Sequence, residues 1–432
     1  MIGDAPMLRS VLRIPSGDAT VSIFGTVTNA ASIAMLWTNE SPAPVVLAMT
    51  VVAPEGSVVR CVADGILVDG VQVVRTNRPA RAASAFATPD DMARQLEIDA
   101  VSSMNMSSTG SCAAVVLGVP HRVTASAQVS ANLSPVTSAA PQPEAVSQGW
   151  THHQMRGPSL SGIASVAQFL QRSAGVLMGA PDQHGDPAVW ACVAEALACA
   201  GATTQARDIV ADLWELQLPS GGIDSTCPAM AASHLVRATD RLWWQPRTDD
   251  EADLLGARCG ALLRWCESNR SDDGVTEVIH AVAMLLATIG QCEAAQQLAS
   301  RFGSREPRST EVCTQPVPLW VGKFGDPDLS HTAREYLDTV AAIVSCDRPL
   351  RPGESVVIRL FGGLSLRAGQ NFEFAGFSTP AGSLAGALRW HGTNAALLWE
   401  LTSLTGLPVQ ISAPGVSDSW SSSRLSGEEL IV

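Results

Sequence analysis

The chain reads as a multidomain α+β protein: an N-terminal β-sandwich, a helical-hairpin (α/α) core forming a toroid or partial toroid, and a C-terminal β module. Three observations predict this. Between about residues 159 and 302 the apolar residues recur at helical spacing. On both sides, short Val/Ile-rich runs alternate with Pro, Gly, Asn and Ser. The helical stretch also repeats itself. With 432 residues, 46% of them hydrophobic and 16% charged, two or three domains with ample core are expected. The boundaries read as 1–133 for the sandwich, 134–158 for a linker and 159–302 for the hairpins. A mixed connection with one helix follows at 303–349, then the C-terminal β module at 350–432.

Taken in order, "TVSIFGTV", "SIAMLWTN" and "PVVLAMTVV" are short strands separated by turn formers. "GILVDGVQVV" is a hairpin in which Asp69-Gly70 can take the positive φ angles of a two-residue turn. A short helix at "TPDDMARQLE" precedes the strands "CAAVVLGV" and "RVTASAQV". The Pro-, Ser- and Ala-rich "SPVTSAAPQPEAVSQG" then has the composition of a linker.

In the core, Trp190, Val193, Ala194 and Leu197 make one apolar stripe, and Ala206, Ile209, Val210 and Leu213 a second. Leu255, Cys259, Leu262 and Cys266 make a third, and Val278, Val282, Leu285 and Ile289 a fourth. Asp186 before Pro187 suits a helix N-cap with Pro at the first helical position, and Gly201 and Gly290 follow the ends of apolar runs. "AEALACAGATTQARDIVADL" aligns with "AMLLATIGQCEAAQQLASRF", placing Leu197 on Leu286 and Gly201 on Gly290. Each copy is helix, Gly turn, helix, the pattern of stacked helical repeats. The long connections at 179–186, 217–227 and 269–274 each follow every second helix, so they are expected at one end of the array. Beyond the core, "TAREYLDTVAAIV" is a helix and "ESVVIRLFG", "FEFAGFS", "LAGALRWHG", "AALLWELT" and "LPVQISA" are strands. "RWHGTNAALLWE" is a hairpin turning at Gly392-Thr393-Asn394, with Trp390 and Trp399 packing on the sheet.

This order of domains, with the hairpin phrases "AEALACAGATTQARDIVADLWELQLPSGGID" and "AMLLATIGQCEAAQQLA", resembles the six-hairpin glycosidase superfamily of (α/α) toroid enzymes. The resemblance covers roughly residues 10 to 300 and is one of architecture. It implies a glycoside hydrolase of carbohydrate metabolism, or a relative that has lost activity. The chain has fewer core helices than a full toroid, and no acid/base motif of the family matches residue by residue. Gln217, Gly221 and Ile223 in "QLPSGGI" also resemble a motif of terpene-cyclase toroids, with Ile where that motif has Trp.

Glycoside hydrolysis needs two carboxyl groups facing each other across the scissile bond. The expected loop face offers Asp182, Asp186, Asp224 and Asp272 as catalytic candidates, with Trp190, His184 and Glu277 as substrate-binding candidates. Asp186 and Asp273 are also explained as helix caps. His234 and His280 lie in helical patterns as core residues.

The remaining chemistry is narrowed by what the chain lacks. It has no GxGxxG, no P-loop and no nucleophile elbow, so no cofactor is expected. Its cysteines form no CxxC pair and have no zinc spacing, so no metal is expected and they read as free thiols. A net charge of −13 argues against nucleic acid and anionic membrane. With no apolar span of membrane length and no apolar leader core, a cytoplasmic location is expected. A carbohydrate is the candidate ligand, and the oligomeric state stays open. The competing reading is a non-catalytic helical-repeat scaffold that binds a protein or glycan.

Overall fold

The computed structural model describes all residues except 1–6, 15–16, 29, 98–108, 131–134, 137–139, 155–156, 179–184, 244–248, 271–273, 303–328, 352, 365 and 432. The protein is a mixed α+β chain of two compact units, Met1–Thr151 and His152–Val432.

The first unit begins with β1 (Met7–Ile14), β2 (Gly17–Thr28), β3 (Ala30–Asn39) and β4 (Val45–Val52). These are followed by β5 (Val59–Val62), β6 (Gly65–Val68), β7 (Val71–Thr76) and β8 (Ala82–Phe86). Helix α1 (Pro89–Glu97) separates them from β9 (Thr109–Gly110), β10 (Cys112–Val119) and β11 (Thr124–Ser130). An eight-stranded sheet has the order β1-β2-β3-β11-β7-β6-β5-β9, and β4-β10-β8 make a second sheet. One apolar cluster draws on both, with Val59, Ile66 and Val74 from the larger sheet and Ala83, Val115 and Leu117 from the smaller. The turn between β6 and β7 has φ of 50° at Asp69 and 82° at Gly70, the positive pair that Asp-Gly adopts readily. Asp69 also accepts from the Val58 amide at 2.7 Å.

Helix α2 (Pro143–Gln154) occupies much of the stretch expected as a linker. Pro143 opens it and Glu144 lies in its first turn, both favoured at a helix start. Val146 and Trp150 on this helix pack on Met7, Phe24 and Leu36. An apolar face with a place to dock thus overrides a Pro- and Ser-rich composition.

The second unit starts with β12 (Ser159–Ser161) and α3 (Ala164–Met178). Then come α4 (Pro187–Cys199) and α5 (Thr203–Glu215), α6 (Pro228–Trp243) and α7 (Asp249–Ser268), α8 (Val275–Thr288) and α9 (Cys292–Phe302). Of these, α4–α5 and α8–α9 pack as helical hairpins, whereas α7 packs on α8. Helix α4 packs on α6 and α6 on α8, while α10 (Leu329–Ile343) packs on α3 and α4.

The sequence repeat has a geometric counterpart. Gly201 and Gly290 have φ of 79° and 87°. After each, the next amide closes back on the preceding helix, Ala202 N–H to Leu197 O at 3.0 Å and Gln291 N–H to Leu286 O at 2.8 Å. Both are the six-to-one bond of a helix ending in a left-handed glycine.

The chain ends with β13 (Val344–Asp347), β14 (Val356–Leu360), β15 (Phe372–Thr379) and β16 (Gly382–His391). The last strands are β17 (Asn394–Ser403), β18 (Val409–Ala413), β19 (Ser417–Ser422) and β20 (Ser426–Leu430). Two sheets result, β12-β15-β16-β17-β20 and β13-β14-β18-β19. Their buried side chains, Phe361, Phe372, Phe374 and Trp399 among them, belong to the same apolar cluster as the helices. In the β16–β17 hairpin Asn394 pairs with His391, so the turn is Gly392-Thr393 alone. Trp399 is 3% exposed, stacks edge-on with Trp420 at 5.3 Å and donates to Arg424 O at 3.0 Å.

Candidate functional site

The starts of α4, α6 and α8 meet at one end of the second unit. Asp186 precedes Pro187 and caps α4, its Oδ1 accepting from the Ala188 amide at 3.1 Å. The same carboxylate accepts from Ser225 Oγ at 2.5 Å and from the Thr226 hydroxyl, both just ahead of α6. Gly274, at the start of α8, comes so near α6 that an added Cβ would lie 3.3 Å from Ala229 Cβ. Two of the long connections are therefore joined through side chains, and a third abuts them.

Burial works against the Asp186 charge, but the hydroxyls of Ser225 and Thr226 and the Ala188 amide outweigh it and hold the carboxyl below the usual range. Asp224 is exposed, and its amide donates to Leu216 O at 3.2 Å. Trp190 is 8% exposed and part of the apolar core. Glu277 is half-buried in the first turn of α8. Asp182, His184 and Asp272 lie outside the described residues, as does Asp273.

The "QLPSGGI" loop is fastened to α7. Gln217 Nε2 donates to Gly221 O and to Arg258 O, each at 3.0 Å. Gly221 has φ of 97°, and an added Cβ there would stand 2.0 Å from Ala261 O. Its glycine is thus required by the close passage of α7.

The strongest electrostatic feature lies deeper, on α4. Glu195 is 4% exposed within an otherwise apolar helix. Its Oε2 lies 2.8 Å from His234 Nδ1 and accepts from Arg237 Nε at 3.0 Å, while Oε1 is 3.6 Å from Arg241 Nε. His234, Arg237 and Arg241 are spaced i, i+3 and i+7 on α6, which brings all three to one face. Burial would raise the Glu195 pKa, yet Arg237, the His234 hydrogen bond and Arg241 together hold it well below the carboxylate range. Neighbouring thiols go the other way. Burial pushes Cys192 up to about 12 and Cys199 up to about 11, so neither is a nucleophile at neutral pH.

Sequence reasoning singled out His234 as a satisfied core residue, which the Glu195 contact bears out. His280, expected in the core as well, is exposed on α8. The Glu195 cluster itself was missed. Its signal was a lone acid in the run "VAEALA" facing basic residues at helical spacing in "HLVRATDR".

Among the described residues no group of three or more His, Cys, Asp or Glu could hold a metal ion. The nine described cysteines are free, and no described helix is long and apolar enough to cross a membrane. Compared with models of known protein families and with curated proteins, the chain matches none.

Proposed function

We propose that the chain is a non-catalytic binding scaffold, a β-sandwich followed by a partial arc of helical hairpins whose loop end takes a glycan. One observation carries this reading. Of the two described candidate carboxylates, the one drawn further into the loop end, Asp186, is committed to three donors and shifted toward the ionised form. A glycosidase general acid needs the opposite, a pKa raised toward neutrality. Glu195, the most buried carboxylate of the helical core, is shifted the same way by its cations. Exposed Asp224 can instead accept from the hydroxyls of a sugar.

Glycoside hydrolysis is the second reading. It is favoured by the meeting of the α4, α6 and α8 starts at one end, where catalytic loops are commonly built. Calorimetric titration of the full chain with a panel of oligosaccharides, alongside reducing-sugar release, separates the two. A scaffold binds without releasing sugar, and Asp224→Asn weakens that binding. Sugar release abolished by Asp224→Asn would establish the hydrolase and refute the scaffold. If no glycan binds, the ligand is not a carbohydrate.

A further inference from the structure

At the other ends of α6 and α8 the second unit holds a cavity of about 440 Å³, bounded by α9 and the β13–β14 connection. Gln296, Ala299, Arg348, Arg351 and Glu354 line it. Arg348 is set into the wall with 11% of its side chain exposed, and its Nη1 is buried without a hydrogen-bond acceptor. The nearest carboxylate oxygen, Asp240 Oδ1, is 3.9 Å away. That pair attracts but is too long to hydrogen-bond, and the same oxygen already accepts from the Thr288 hydroxyl.

Of the other charges around the cavity, Asp347 has a close partner, while the solvent-exposed Arg351–Glu354 pair is about as open as that of Arg348. Arg359 Nη1 holds Asp347 at 2.5 Å, and Arg351 faces Glu354 at 3.8 Å across the exposed rim. Gln296 uses its amide nitrogen on Leu350 O at 3.3 Å. Burial disfavours the Arg348 charge, with Asp240 only partly offsetting it. A guanidinium in this position lacks an acceptor rather than a donor, and it pairs best with a planar or tetrahedral oxyanion. The volume is in the range of small-molecule sites.

We propose that this cavity binds a small molecule through a terminal carboxylate or phosphate, which pairs with the Arg348 guanidinium in the wall while Arg351 closes over the rim. The site is separate from the loop end and does not depend on the glycan-binding reading.

The test is isothermal titration of the full chain with inorganic phosphate, with succinate, and with succinamide as the uncharged counterpart. At least one of the two acids is expected to bind, with succinamide weaker by about tenfold or more. Phosphate binding alone assigns a phosphate ligand, and succinate binding alone a carboxylate. Arg348→Met should weaken the acid by about tenfold or more. Ala299→Trp, which fills the cavity and leaves the Asp240–Arg348 pair intact, should do the same and decides the matter alone if Arg348→Met fails to fold. The proposal is overturned if neither acid binds, if succinamide binds as tightly, or if either folded variant binds like the parent chain.

Discussion

Replacing Glu195 by Gln preserves volume and removes one buried charge, which makes it a direct test of the core electrostatics. The carboxylate is 5% exposed at its side chain and is shared by His234, Arg237 and Arg241 at 2.8, 3.0 and 3.6 Å. Removing one partner of a buried ion pair typically costs about 3–5 kcal/mol. Arg237 and Arg241 keep 36% and 30% of their side chains in solvent, however. Water therefore takes up part of the uncompensated charge, and we expect about 2–3 kcal/mol at pH 7.

The pH dependence has a definite sign. Because the folded pKa lies below the unfolded value, the carboxylate stabilises fully above about pH 4.3 and progressively less below it. While the folded carboxyl stays ionised, each pH unit below that point removes about 1.4 kcal/mol, so the gap between parent and variant should close near about pH 2.5. Urea unfolding followed at 222 nm reports on the right unit, since helices α3 to α10 all belong to it. A loss at pH 7 below about 1 kcal/mol, or a gap unchanged between about pH 7 and pH 3, would refute the argument.

Asp186→Ala should cost about 1–2 kcal/mol by removing the α4 cap, shrinking as pH falls below about 4 because the folded pKa is depressed; thermal melts of parent and variant that coincide at pH 7 would contradict this. Trp399→Ala should cost about 3–5 kcal/mol in chemical denaturation, and a variant as stable as the parent would deny the ring its packing role. In native thiol titration exposed Cys227 should react early, while Cys259 and Cys346, each pushed up to about 12 by burial, stay silent. Cys227→Ser should then lower the fast phase by about one thiol per chain, and an unchanged fast phase would count against the assignment.

Features carried by short stretches of chain were the legible ones. The stripes through Leu197, Leu213, Cys259 and Val282 are buried as their spacing implies, and Gly201, Gly290 and Asp69-Gly70 take the φ angles that their turns require. The cap at Asp186 was visible from Pro187, but its bonds to Ser225 and Thr226 depend on a neighbouring helix. Helix α2 was hidden by linker-like composition because its stabilising surface, Phe24 and Leu36, lies more than a hundred residues earlier. The Glu195 cluster was harder still. A buried acid is tolerable only with partners, and those partners come from another helix. Trp190 was legible in its packing, since its helical spacing marked an apolar face and the ring is buried there.

Strand β12 lies at the start of the second unit, yet it pairs with β15, and Ser159 Oγ reaches Ala375 O across 216 residues. As the polypeptide is synthesised, helices α3 to α10 all emerge before the strand that β12 needs. Helical contacts are local and fast to form, whereas a pairing this remote carries a large loop-closure cost and comes late. The β12–β15 pairing is therefore expected to close after the helices, and until it does the open edge of the sheet is where copies of the chain could pair with one another.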